Sequence, residues 1–414
     1  MFKKFWLDVI LGTVFIFGLM GLFSSVTAFR IFDVFDPIGE AFSDMEVTDV
    51  VFSQLRDDPV AEDRVLLVNM GTVPRPDIGI MLQIISQYNP KVIGVDSFFY
   101  FPKEDSLGDA ILEEGLASVE NLVMASKLIY DPETDAFDSL ALSWPQFSQY
   151  GETAFVNLIT DAKEQEDLKM CREFFPKQMV GEQEEIAFAA KLASYLDPEA
   201  AERFLERGND VETVNYRGNV LDYGATKFGT KFFALDVQDV FEENFTPDLI
   251  EDKIVIFCFL GKYLGDRESF EDKFYTPLNE KYIGRAFPDM YGGVIHANIV
   301  SMILNEDYIN ALDDNIEIIL AIILCFLNVA LFSLIYRKLP RWYDGLTKLF
   351  QLLEIGFLIG LMLYLLDIYS YKIELGLALF AVALCGDGLE VYYGVVKNIF
   401  TREGRRALFK MDKL

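Results

Sequence analysis

Chemistry in this 414-residue chain has to come from very few side chains. His296 is the only histidine, so no histidine-dependent triad and no histidine-rich metal site can be assembled from the chain alone. It sits in Gly292-Gly-Val-Ile-His-Ala-Asn298, a glycine pair opening an apolar helix. That position suits a hydrogen-bonding role at a helix start, or a contact sensitive to pH. Asp96 closes the apolar run Pro90-Lys-Val-Ile-Gly-Val-Asp96. Strand ends are where open α/β sheets place ligand groups, and equally where an aspartate caps the following turn. Arg217 and Asp272 are suited to a polar site or to an ordinary ion pair. These four residues, Asp96, Arg217, Asp272 and His296, are the ligand-binding candidates.

Other chemical signatures are missing from the sequence. There is no Walker-type phosphate loop, no G-x-G-x-x-G after a strand, no G-x-S-x-G elbow and no C-x-x-C. The expectation is a protein that is not an enzyme and uses no cofactor and no metal. Of the four cysteines, Cys171 and Cys258 lie in the polar part and Cys325 and Cys385 in apolar runs. A disulfide between the first two is open in an oxidising compartment, but Cys258 falls in a buried strand pattern, which favours free thiols.

A second set of ionisable residues lies inside apolar segments. Runs at residues 5–29, 318–336, 350–366 and 373–396 are each of a length to cross a bilayer. Glu354 falls in the third and Asp387 and Glu390 in the fourth, with Asp8 in the first. Charge inside a bilayer costs about 2.5 kcal/mol or more per group, so such residues face a partner or a wet cavity, or reach out to interfacial Arg and Lys. Asp387 and Glu390 are three apart and share a helix face. Glu354, Asp387 and Glu390 are the candidates for coupling to another protein. Gly356-x-x-x-Gly360 in the third run permits close helix packing.

The elements that position these groups follow from charge and period. The chain is 52% hydrophobic, yet 23 Lys and Arg stand against 54 Asp and Glu between Arg30 and Asp313, while the remainder has 13 against 11. The acidity therefore belongs to one polar segment, with membrane on either side. The first apolar run, preceded by Lys3 and Lys4 and containing the cleavage-like Val26-Thr-Ala28, exceeds a cleavable signal core and reads as a retained anchor. Lys3 and Lys4, then Arg337, Lys338, Arg341 and Lys348, then Lys397, Arg402, Arg405, Arg406 and Lys410 fall on one side of a four-span topology. Both termini are accordingly expected in the cytoplasm and the polar segment in the periplasm of a bacterium. The divisions are an anchor at 1–29, a periplasmic domain at 30–313, three spans within 314–396 and a basic tail at 397–414. So acidic a surface argues against nucleic acid and against anionic lipid headgroups; it suits cationic partners or divalent ions, or serves solubility alone.

Within the polar segment, strand-like runs at 64–69, 92–99, 121–125, 154–159, 212–216 and 253–259 alternate with helical patterns at 76–88, 107–119, 184–207, 236–244 and 296–304. Near-continuous apolar strands separated by amphipathic helices predict an α/β domain with a mostly parallel sheet.

The order of these motifs resembles the CHASE type-two (CHASE2) domain, an extracytoplasmic sensory module of bacterial membrane receptors. The resemblance rests on Val65-Leu-Leu-Val-Asn69 and a Pro-Arg-Pro turn ending at Pro76, Pro90 to Asp96, and the acidic helix start at Asp105. It continues through Phe155-Val-Asn157 with Asp161, Arg172 and Pro176, then Asn215-Tyr-Arg-Gly218, Asp252-Lys-Ile-Val-Ile256, Thr276-Pro277 and Gly292 to Asn298. The chain departs from that pattern in the charged insertion at Lys163 to Lys169 and in the long stretches Tyr263 to Glu271 and Asn279 to Met290. The resemblance implies a sensory role. With some 18 residues after the last span, the chain is expected to act through a separate protein, its partners being membrane lipid and other membrane or periplasmic proteins, not nucleic acid. The alternative is a structural subunit of an envelope complex for secretion, motility or transport, with no ligand. The topology is testable: alkaline phosphatase fused after Ser301 should be active and fused after Leu414 inactive, and the reverse pattern would invert the architecture.

Overall fold

The computed structural model describes residues 2–25, 46–160, 169–222, 226–280 and 287–397. Val26-Thr-Ala28, Asp161, most of the insertion after Lys163 and the tail residues Arg402, Arg405, Arg406 and Lys410 lie outside the described residues. The chain divides into two compact units: Thr48–Ile309, and Met1–Val47 with Asn310–Leu414.

In the first unit the β-branched and aliphatic runs become the strands of one sheet: β1 (Glu62–Asn69), β2 (Val92–Val95), β3 (Leu122–Asp131), β4 (Ala136–Ala141), β5 (Glu152–Phe155), β6 (Phe232–Leu235) and β7 (Ile254–Cys258). The order is β6-β1-β7-β2-β3, all parallel, with β5 parallel to β3 and β4 antiparallel to it. Val65 stands opposite Ile254, Ile256 opposite Gly94, and Val95 opposite Met124. Helices α1 (Arg75–Ser86) and α2 (Ser106–Ala117) supply Ile78, Met81, Leu82, Ile85, Leu112 and Leu116 to a core with Leu66, Val68, Ile93, Val95, Val255 and Phe257. The alternate strand positions meet α3 (Phe188–Leu196), whose Phe188 and Leu192 sit over Gly94. Side chains of one strand thus feed cores on both faces, which is why the strands carry no polar alternation.

Three sequence expectations change. The helix expected over 184–207 is a hairpin, Lys177–Val180 with Gln183–Ile186, followed by α3 and α4 (Pro198–Glu206). Pro198 disfavours helical backbone at Asp197, and the Asp197 carboxylate then caps α4 by accepting from the Ala200 N–H at 2.9 Å. The strand expected to reach residue 99 stops at Val95, because the last ladder bond is the Asp96 N–H to the Phe257 carbonyl and the Phe99 N–H turns to Ser143 Oγ. β6 and β4, the edge strand and the hairpin partner, lie outside the expected strand runs, β6 being only four residues long.

After the short α5 (Val237–Phe241), helix α6 (Gly292–Asn305) is buried at every residue through Leu304, and a charged anchor holds its C-terminal end. Glu62 on β1, 3% exposed, accepts from Arg64 Nε at 2.7 Å, Arg64 Nη2 at 2.8 Å, Ser301 Oγ at 2.8 Å and Asn305 Nδ2 at 3.0 Å.

The second unit holds the four helices long and apolar enough to cross a membrane, Lys3–Phe23, Asp314–Lys338, Pro340–Tyr369 and Gly376–Val396. Asp8 accepts from Arg337 at 2.5 Å and from Lys397 at 2.6 Å, so the first, second and fourth helices meet at one ion cluster. Gln351 donates to the carbonyls of Val382 and Ala383, and Tyr343 to that of Gly386, tying the third helix to the fourth. Gly356 and Gly360 face open space among the described residues, so the expected small-residue contact is not made within the chain.

Burial pushes the Glu62 carboxyl up, but the Arg64 and Ser301 hydrogen bonds and the Arg64 charge outweigh it and hold it down at about 2. Its contribution is therefore fully present above the ordinary value of 4.5 and lost as pH falls toward about 2. Glu62→Gln should lower stability by roughly 1–2 kcal/mol at pH 7, Arg64 being partly solvated, and that deficit should shrink below pH ~4 in urea titrations. A deficit unchanged by pH would assign the loss to packing.

A candidate ligand cleft at the carboxyl ends of the strands

The segments leaving β1, β2, β5 and β7 open around a cleft of about 690 Å³. It lies where parallel sheets expose unpaired strand ends. Met70 to Val73 follow β1, Asp96 to Phe98 follow β2, Val156 to Leu158 follow β5, and Phe259 follows β7; Asp272, Phe274, Gly292 and His296 complete the wall.

Local sequence accounts for this arrangement. The α6 N-terminus is pressed onto the end of β7: a Cβ on Gly293 would stand 2.4 Å from Cys258 Sγ, and one on Gly292 2.9 Å from Asp272 Oδ2. Only glycine allows that approach. The position of α6 is fixed by Asn298, whose Oδ1 accepts from the N–H groups of Arg217 and Gly218 at 2.7 and 3.0 Å, while Nδ2 donates to the Gly218 carbonyl at 2.9 Å and the Val294 carbonyl at 2.8 Å. The Asn215-Tyr-Arg-Gly218 and His-Ala-Asn298 motifs are thus two halves of one clamp. The Thr276-Pro277 turn is held by buried Asp289, which accepts from Thr276 Oγ1 at 2.7 Å, the Thr276 N–H at 3.0 Å and Asn279 Nδ2 at 3.1 Å. Burial still pushes Asp289 up to about 6, against those bonds.

Three of the four ligand candidates from the sequence come together. Asp96, Asp272 and His296 line the cleft. Arg217 does not: its Nε donates to Ser301 Oγ at 2.8 Å and its Nη1 to the Val60 carbonyl at 2.7 Å, so the anticipated Arg217–Asp272 pair is replaced by scaffold bonds. Sequence reasoning missed Lys127, Lys169 and Glu271 in the wall; each sits in a loop or at a strand edge without a motif around it.

The electrostatics are unusual. Asp96 is crowded at the cleft floor, and burial, with the neighbouring Asp272 charge, pushes its carboxyl up to about 8. Burial likewise raises Asp272, to about 7, against the Gly292 N–H and the Lys169 charge that favour its ionised form. Water reaches Asp272 at the rim, and the two carboxyls compete for a proton near neutrality. His296 is 4% exposed, and burial depresses it to about 4 despite a hydrogen bond to the Val156 backbone. Its Nδ1 is buried with no hydrogen-bond partner, and its ring meets Phe188 edge-on at 5.4 Å. Burial, then the Asp96 and Asp272 charges, pushes the Cys258 thiol well up. All four cysteines are free and buried. Among the described residues no three His, Cys, Asp or Glu side chains are grouped to hold a metal ion.

The membrane candidates separate. Glu354 accepts from Asn328 Nδ2 at 2.7 Å. Asp387 pairs with Lys348 at 2.7 Å on an exposed face, and Glu390 is exposed on the same helix.

An unfolded chain ionises Asp96 near 3.8, whereas the folded chain keeps the proton to about 8, so its favourable contribution is present below pH 3.8 and lost as pH rises through about 8. Asp96→Asn should consequently stabilise the protein at pH 7.5 by on the order of 1–2 kcal/mol, allowing for solvent in the cleft, and have no such effect at pH 4. Thermal melts at the two pH values check this; equal shifts would show that Asp96 is ordinarily ionised.

The family described as the CHASE2 domain matches residues 36–331. No curated protein and no solved structure matches the chain.

Proposed function

Since the chain belongs to the CHASE2 domain family, whose domain is an extracytoplasmic sensory module, we propose that it is a non-enzymatic sensory or interaction subunit that acts through a separate partner protein. The observation that carries this reading is the cleft at the strand ends, which Asp96, Asp272 and His296, its Nδ1 without a hydrogen-bond partner, line together. A buried acceptor left unsatisfied costs about 1–3 kcal/mol, a cost that a bound ligand removes. At neutral pH the cleft's histidine is uncharged, since burial depresses His296.

In this proposal the chain lies in a bacterial inner membrane with both termini cytoplasmic and the α/β unit periplasmic, in keeping with the one-sided Lys and Arg. Asp387 and Glu390 form the contact to the partner; the exposed Lys348 pair is weak enough to be exchanged.

The test is purification of the full chain in mild detergent with mass spectrometry of what accompanies it. A defined partner should co-purify, fall several-fold when Asp387→Asn and Glu390→Gln are combined, and change in yield with Asp96→Asn. A chain that purifies alone would sink the reading. A partner indifferent to Asp96→Asn would instead support the ligand-free envelope subunit.

A further inference from the structure

We propose that the cleft binds a small organic ammonium, its –NH3+ group seated against Asp96, Asp272 and His296 Nδ1. The inference deepens the sensory reading by naming the chemical class of the ligand. Asp96, Asp272 and His296 bring three acceptor groups to the lining of one cleft. Two are carboxylates. The third is a lone pair, because the His296 ring is neutral and its hydrogen bond to the Val156 backbone favours the protonated ring, so the ring N–H donates to that carbonyl and leaves Nδ1 bare. An ammonium has three donors and no acceptor, which complements this set. The walls add Phe98, Phe259 and Phe274, and the Lys169 ammonium lies 5.8 Å from the Phe274 ring centroid, an arrangement that rings favour with cations. A metal ion fits less well, since the acidic and imidazole groups are not drawn together tightly enough to ligate one.

Charge balance supplies the signature of binding. Asp96 and Asp272 are faced by Cys258 from β7, His296 from α6, Lys127 from β3, and Lys169 and Glu271 from the flanking loops. Near neutrality His296 and Cys258 are uncharged, so the proton held by the carboxylate pair is the group that titrates. The incoming ammonium takes the place of that proton, which leaves to solvent, and the net charge of the cleft is unchanged. Affinity must then fall as pH falls, because the proton competes with the ligand.

Isothermal titration of the full chain in detergent micelles with n-butylammonium, against n-butanol and n-butyrate, tests this. Saturable binding of n-butylammonium alone is expected, with the apparent Kd rising about tenfold per pH unit between pH 8 and 6. Asp96→Asn should weaken binding at least tenfold and flatten that dependence, and Asp272→Asn should do the same should the first variant lose its fold. Absence of saturable binding, equal binding of n-butyrate, or an affinity independent of pH would each overturn the proposal. Because binding is measured on the isolated chain, its success or failure is separate from whether a partner protein exists.

Discussion

Everything in the soluble unit is arranged around one buried helix that has to begin at the end of a strand. Helix α6 is buried on all sides and lies inside the unit, so its free N–H groups and its neighbours' polar atoms must be satisfied within the fold. Gly292 and Gly293 let it abut Cys258, Asn298 spends its whole amide on the 217–218 backbone and on Val294, and Glu62 collects Ser301 and Asn305 at the far end. Without those three devices the helix has no defined depth, and the cleft at its start has no defined wall.

The same constraint explains why charge in the cleft is held in an uncomfortable state. Pressing a helix start, a strand end and two loops together leaves Asp96 crowded by atoms that offer few donors. Elsewhere the fold treats buried acids differently: Asp109 accepts from Arg75 at 2.7 Å and from the Lys103 N–H at 2.6 Å, and Asp49 is gripped by Arg172. The contrast between scaffold carboxylates gripped by arginine and Asp96, raised by burial, marks the site more clearly than any motif.

Much of the architecture was legible because its signal is periodic. Val92 to Val95 and Ile254 to Cys258 are continuous apolar runs, and such runs flanked by amphipathic helices admit few arrangements other than a parallel sheet. Asp96 and His296 could be singled out because one ends a strand pattern and the other is unique. The rest was hidden for physical reasons. Asp289 lies in a long irregular stretch, and only the folded turn brings Thr276 and Asn279 onto it. Arg217 looked like a partner for Asp272 because both are charged near motifs, but side chains of opposite sign meet only where the backbone brings them, and here it brings Arg217 to Ser301 and Val60. In the membrane unit the carboxylates were visible as anomalies in apolar helices, while the partners of Asp8 and Glu354 depend on helix rotation, which apolar composition does not encode.

The inaccessible central helix has a consequence for how the protein is made. At 14 residues it is about 21 Å long, too short to span the ~30 Å hydrocarbon layer, so the insertion machinery has to pass it through despite its composition. It is also among the last parts of the unit to be synthesised, and β1, near the beginning, has as its neighbours β6 and β7, which lie about 170 and about 190 residues later. β1 therefore has no template until the end of the domain has been made, although β2 to β5 pair among themselves, and pairing over such sequence distances is slow. For that interval β1 has neither of its parallel neighbours, and an unpaired apolar strand edge is prone to association.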